Sequence, residues 1–272
     1  MIATLIWALL ALGPADSQAM SGDEPFWKWS LSKAIKILNS SAWARQETFT
    51  TVVGGVGSGQ AGEKEIYSRF YVRFLSAEPI REAYARILQI EHGYDKLAQD
   101  DKQRFDEMLE PVLELDVESW IVVAVSFRSN DPDQEIQIRR FCQSQTTATL
   151  KDKAFLSTDR HPQVKLHAYY PPLEEGVGAK FVFPRTINGV DLVSSGKGHI
   201  SFELLDIPIG RSGGGSEGGG SGGRGGGSGG RGGGGGGRGG GPSSSDSNQG
   251  SATILRATFS IEDMVVDGKL FF

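Results

Sequence analysis

The sequence predicts an α+β fold: N-terminal helices with strands, then a largely antiparallel C-terminal sheet interrupted by a disordered glycine-rich loop insertion. Three observations carry this expectation. Apolar residues recur at helical spacing in several segments before residue 144. After Thr149 the pattern changes to short, alternating, β-branched and aromatic runs. Segments that come early as helices and late as strands point to α+β rather than to a parallel α/β fold. The chain has 272 residues, is 38% hydrophobic and 22% charged, and carries a net charge of −5. That is the balance of a globular protein with a sizeable core. The mild acidity gives no electrostatic reason to expect nucleic acid or an anionic membrane as partner.

The chain opens with MIATLIWALLALGPADSQAM. Ile2 to Leu12 is apolar apart from Thr4, and is shorter than the roughly 20 residues that span a bilayer. Gly13-Pro14 and then small residues at Ser17 and Ala19 follow. This reads as a secretory signal peptide over 1–19, cleaved after Ala19, which predicts a periplasmic or secreted protein. The segment ahead of the apolar run lacks the usual Lys or Arg. The mature chain holds no other run long enough to cross a membrane as a helix.

Ser30 is placed to cap a helix carrying Leu31, Ala34, Ile35 and Leu38. Trp27, Trp29 and Trp43 flank it and read as core rather than as a sugar or partner site. Glu47 to Val53 reads as a strand. IYSRFYVRFLS alternates, with Phe70, Val72 and Phe74 on a buried face and Arg69, Tyr71 and Arg73 on a solvated one. Pro79 opens a helix with Ile80, Ala83, Tyr84, Ile87 and Leu88 on one side. A second amphipathic helix runs over 98–113 with Phe105, Met108, Leu109 and Val112. SWIVVAVSFR is nearly all apolar and reads as a central strand. Asn130-Asp131-Pro132 starts a helix through Ser144. The later strands are TLKDKAFLS, VKLHAYY, AKFVF, HISFELL, TILRATFSI and MVVDGKLFF, the last with an Asp267-Gly268 turn.

Two glycine motifs invite other readings. Gly57, Gly59 and Gly62 spell G-x-G-x-x-G after a strand. A dinucleotide site needs a helix next, whose N-terminus holds the phosphates. Here an alternating segment follows, so the motif reads as a connection between antiparallel strands, and no cofactor is expected. Residues 211–250 form the second motif, with 22 of the chain's 38 glycines between Arg211 and Gly241. Such a segment has little apolar surface to bury and is predicted to be disordered. Arg211, Arg224, Arg231 and Arg238 stand against Glu217 and Asp246 with no aromatic residue, too sparse for an RNA-binding tract. HISFELLDI before it and TILRATFSI after it alternate like the arms of one hairpin. The tract therefore reads as an insertion in one α+β domain, which occupies 20–210 and closes with 251–272.

The residues that could carry chemistry are scattered. His92, His161, His167 and His199 form no close metal-binding pair. Asp131, Asp133 and Glu135 imitate a calcium loop, but Ile136 stands where Gly is needed and Cys142 where Glu is needed. Cys142 is the single cysteine, so no intramolecular disulfide is possible, and it reads as a small buried hydrophobe. Arg185, in FVFPR, reads either as an arginine paired with an acid at a buried strand end or as a binding residue. No catalytic, cofactor or metal residue is assigned. The expectation is a non-enzymatic binding or envelope-associated module. The alternative is a secreted hydrolase with a site dispersed around Asp159, His161, His167 and Tyr169.

The N-terminal segment, AIKILNSSAWARQ, YVRFLSAEPIREAYAR, AKFVFPRTINGVD and the final FSIEDMVVDGKL together resemble an uncharacterised family of secreted bacterial proteins. The resemblance covers most of the chain outside the glycine tract. It implies an extracytoplasmic location and architecture and transfers no catalytic residue. The glycine insertion departs from the family pattern, which fits a dispensable spacer.

Overall fold

The structure, a computed structural model, describes residues 24–53, 64–173, 176–193, 197–209 and 253–272. Its first half holds α1 (Leu31–Asn39), β1 (Ala44–Val53), β2 (Lys64–Phe74), α2 (Glu78–Glu91), α3 (Gln99–Leu113), β3 (Trp120–Ser129) and α4 (Pro132–Ser144). Then come α5 (Thr147–Leu150), β4 (Ala154–Thr158), β5 (Val164–Lys165), β6 (Ala168–Tyr170), β7 (Ala179–Pro184), β8 (Thr186–Ile187) and β9 (Val190–Asp191). β10 (His199–Leu204), β11 (Leu255–Ser260), β12 (Val265–Val266) and β13 (Lys269–Leu270) complete the chain. The fold is α+β and its strand pairs are antiparallel.

One sheet has the order β1-β2-β3-β7-β6 and a second has the order β11-β10-β4-β5. The apolar run SWIVVAVSFR is the centre of the first sheet, as its lack of alternation predicts. The late strands β6 and β7 join the early ones, so early and late segments share one sheet. VKLHAYY is divided between β5 of one sheet and β6 of the other.

The register explains the core. Phe70, Val72 and Phe74 share a face with Phe127, Val125 and Val123, and Val123 pairs with Phe181. This face meets the second sheet through edge-on rings, with Phe74 4.7 Å from Phe259 and Phe181 5.0 Å from Phe202. Burying each such side chain contributes about 2 kcal/mol. The opposite face differs from expectation. Tyr71 and Arg73 are buried rather than solvated, and α1 covers Arg73. Arg73 Nε donates to the Leu38 carbonyl at 2.7 Å and its terminal nitrogens reach Asn39 Oδ1 at 2.6 Å and Ser126 Oγ at 2.7 Å.

Local chemistry sets the boundaries. Ser30 caps α1 by accepting from the Lys33 amide at 3.2 Å. The buried side of α1 is centred on Ala34 and Ile37, and the expected core residue Leu31 is exposed. Pro79 lies in the first turn of α2, and Pro132 opens α4. Phe105 and Leu109 of α3 are buried while Met108 is exposed. Asp267 and Gly268 both take positive φ, 51° and 77°, and join β12 to β13. Asn188 and Gly189 do the same for β8 and β9, at 53° and 77°. That hairpin was not predicted, although Asn-Gly is its signal.

β1 pairs antiparallel with β2 from Ala44↔Arg73 to Val53↔Lys64, so a strand follows the G-x-G-x-x-G motif. β10 pairs with β11 along its length, and the Ile207 amide donates to the Thr253 carbonyl at 3.2 Å. The flanks of the glycine tract are therefore arms of one hairpin. The tract itself, the three motif glycines and the predicted signal peptide lie outside the described residues.

Candidate binding surface

The dispersed residues considered for hydrolysis have separate partners. Tyr169 is buried, and its hydroxyl donates to the Cys142 main-chain carbonyl at 2.6 Å. Burial raises its pKa. The Cys142 thiol is buried too, and desolvation pushes it up to about 12, so it stays protonated and unreactive at neutral pH. The exposed His167 ring stacks on Trp120, centroids 4.1 Å apart and planes at 27°. Asp159 accepts from the His199 amide at 3.2 Å, and its carboxylate lies 3.9 Å from His199 Nδ1. His161 exchanges main-chain bonds with Thr158 in the turn after β4. Sequence spacing did not indicate His199 as the partner of Asp159. The contact depends on β10 pairing with β4, and 40 residues separate the two positions.

The other singled-out residues are largely structural. Arg185 Nε lies 3.4 Å from Asp191, and the same side chain donates to the carbonyls of Val117 at 3.1 Å and Phe272 at 3.2 Å. It ties three chain segments together. Trp29 and Trp43 are core residues, whereas Trp27 is 56% exposed. Glu135 caps the Ser129 amide at 3.2 Å and pairs with Arg128 and Arg139. Among the described residues, no three His, Cys, Asp or Glu side chains are grouped to hold a metal ion. No described helix is long and apolar enough to cross a membrane.

The arrangement that converges is a surface on the β6–β7 flank of the first sheet. Alternation and register put Trp120, Val122 and Ala124 of β3 on the same face as Lys180 and Val182 of β7 and Ala168 and Tyr170 of β6. α1 covers this face at Arg73, which pairs directly with Ala124, so Val122 and Ala124 are buried and the exposed part lies toward β6. Tyr170 is 57% exposed, and Leu173, just beyond the strand, is 70% exposed. The rear of the strand is fixed: Tyr169 is anchored in the core, and its amide donates to Thr147 Oγ1 at 3.0 Å. An exposed aromatic side chain on a strand anchored from behind, such as Tyr170, can bury against a partner at little ordering cost.

No family model, no curated protein and no solved structure matches this chain.

Proposed function

We propose that the protein is a non-enzymatic binding module that acts outside the cytoplasm, associated with a bacterial envelope, and engages a protein partner through the β6–β7 flank. The observation that carries this reading is the exposure of Tyr170, on the same sheet face as Trp120, and of Leu173 just beyond β6. The contacts of Tyr169, His167 and Asp159 favour binding over hydrolysis, because each is engaged apart from the others. The location rests on the N-terminal pattern and on the resemblance to secreted proteins. Two experiments test it. Fractionation of native cells with a C-terminally tagged chain, plus intact mass, should find a product beginning at Met20 outside the cytoplasm. Affinity capture from the envelope fraction should recover one partner with the native chain and lose it with the Tyr170→Ala/Leu173→Ala variant. A cytoplasmic chain that keeps Met1, or equal capture by both forms, would overturn the proposal.

A further inference from the structure

The same sheet face has a second uncovered region, on the far side of Tyr71. Arg69 of β2 pairs directly with Thr48 of β1 and with Arg128 of β3. The three side chains thus rise from one face of three adjacent strands, about 4.8 Å apart. Like charges placed directly opposite destabilise a sheet. Arg128 is offset by Glu135 at 3.1 Å, a carboxylate that Arg139 also approaches at 3.4 Å. Arg69 is different. It is partly exposed, its guanidinium sits 5.5 Å from the Tyr67 ring centroid, and no ion pair joins it to an acid among the described residues. Beside it, Gln46, Thr48 and Thr50 stand exposed on the edge strand β1, opposite Tyr71, Arg69 and Tyr67. Glu65 also lies on this face, one position beyond Tyr67 in the alternation.

An unoffset guanidinium beside a row of exposed hydroxyl and amide groups is suited to an anion carried on a polyol. We propose that this face binds an acidic polysaccharide, with a uronate carboxylate on Arg69 and sugar hydroxyls along Gln46, Thr48 and Thr50. Charge complementarity selects an anion, since Arg69, Arg128 and Arg139 stand against Glu65 and Glu135, an excess of one positive charge. A single-stranded nucleic acid would instead need several rings for its bases. This face offers Tyr67, and Arg69 already lies over it. The molecule's net charge of −5 keeps long-range attraction small, so binding must come from these local contacts.

The test uses the full chain and fluorescence anisotropy at low salt, with a labelled alginate oligosaccharide, a neutral dextran oligosaccharide and a single-stranded oligonucleotide as probes. Alginate should bind, dextran should not, and added salt should weaken the complex. Arg69→Glu removes the charge-assisted contact and Thr48→Glu sets a carboxylate against the anionic chain, so each should lower alginate affinity about tenfold or more. Arg69→Glu should also melt no lower than the native chain, because it replaces a cross-strand Arg–Arg pair with a Glu–Arg pair. A structural role for Arg69 predicts the reverse: a lower melting temperature and unchanged binding. That result, the absence of alginate binding, or dextran or oligonucleotide binding as tight as alginate binding would overturn the proposal.

Discussion

Replacing Arg73 with Met should cost about 3 kcal/mol of stability, a value that follows from the contacts of the guanidinium. The side chain is 4% exposed and has neutral partners: the carbonyls of Leu38 and Val177, Ser126 Oγ and Asn39 Oδ1. Removing it strands those acceptors between α1 and the sheet. At roughly 1–2 kcal/mol for each stranded group, the loss is about 4–8 kcal/mol. One term opposes this. Burial pulls the Arg73 pKa from 12.5 to about 10, so the buried cation itself carries a cost that Met would relieve. That relief is about 3 kcal/mol. The difference is a net loss of about 1–5 kcal/mol, centred near 3. Arg73→Lys keeps the charge but not the planar fork, so it cannot reach all the partners and should lose about 2 kcal/mol. Urea denaturation followed by near-UV circular dichroism and fluorescence measures both variants. A loss below about 1 kcal/mol for both would refute the claim that Arg73 staples α1 to the sheet.

Three further predictions follow from the same geometry. Burial first, and then the neighbouring Glu78 carboxylate, raises the Glu82 pKa from 4.5 to about 7. The folded state therefore holds a proton that the unfolded state releases, and stability should fall as pH rises from about 4.5 to about 7. Glu82→Gln should flatten that slope and, allowing for the partial solvent exposure of Glu82, gain about 1 kcal/mol at pH 8 in chemical denaturation. Tyr169→Phe removes the hydroxyl that donates to the Cys142 carbonyl and should lower stability by about 1–2 kcal/mol in the same assay. Deleting residues 211–250 shortens the β10–β11 connection about fivefold, which should leave the fold intact and raise stability by about 1.4 kcal/mol, read from thermal melting.

Much of the fold was legible because it depends on local chemistry. The Ser30 cap, Pro79 and Pro132 in the first turns of α2 and α4, and the apolar continuity of β3 each leave a mark within a few residues. The division of strands between sheets was not legible, since it depends on pairings such as β3 with β7 that join distant segments. The burial of Tyr71 and Arg73 was missed for a related reason. Alternation marks the two faces of a strand, but it does not reveal that a helix covers the second one. The Asn188-Gly189 hairpin could have been read from its dipeptide. The candidate surface was only partly visible. His167 and Tyr169 were singled out for chemistry, yet the exposed residues beside them, Tyr170 and Leu173, emerge from the register of β6 and the course of the chain beyond it.

Site-specific photo-cross-linking in the native cell tests the central claim most directly, with a photoreactive phenylalanine analogue placed at Tyr170 and, as a control, at the exposed Ile254. The account predicts one reproducible adduct from position 170, in the envelope fraction, on a chain that begins at Met20, with none at that mass from position 254. The same adducts from both positions, or no adduct from position 170 with the chain intact in the cytoplasm, would contradict it.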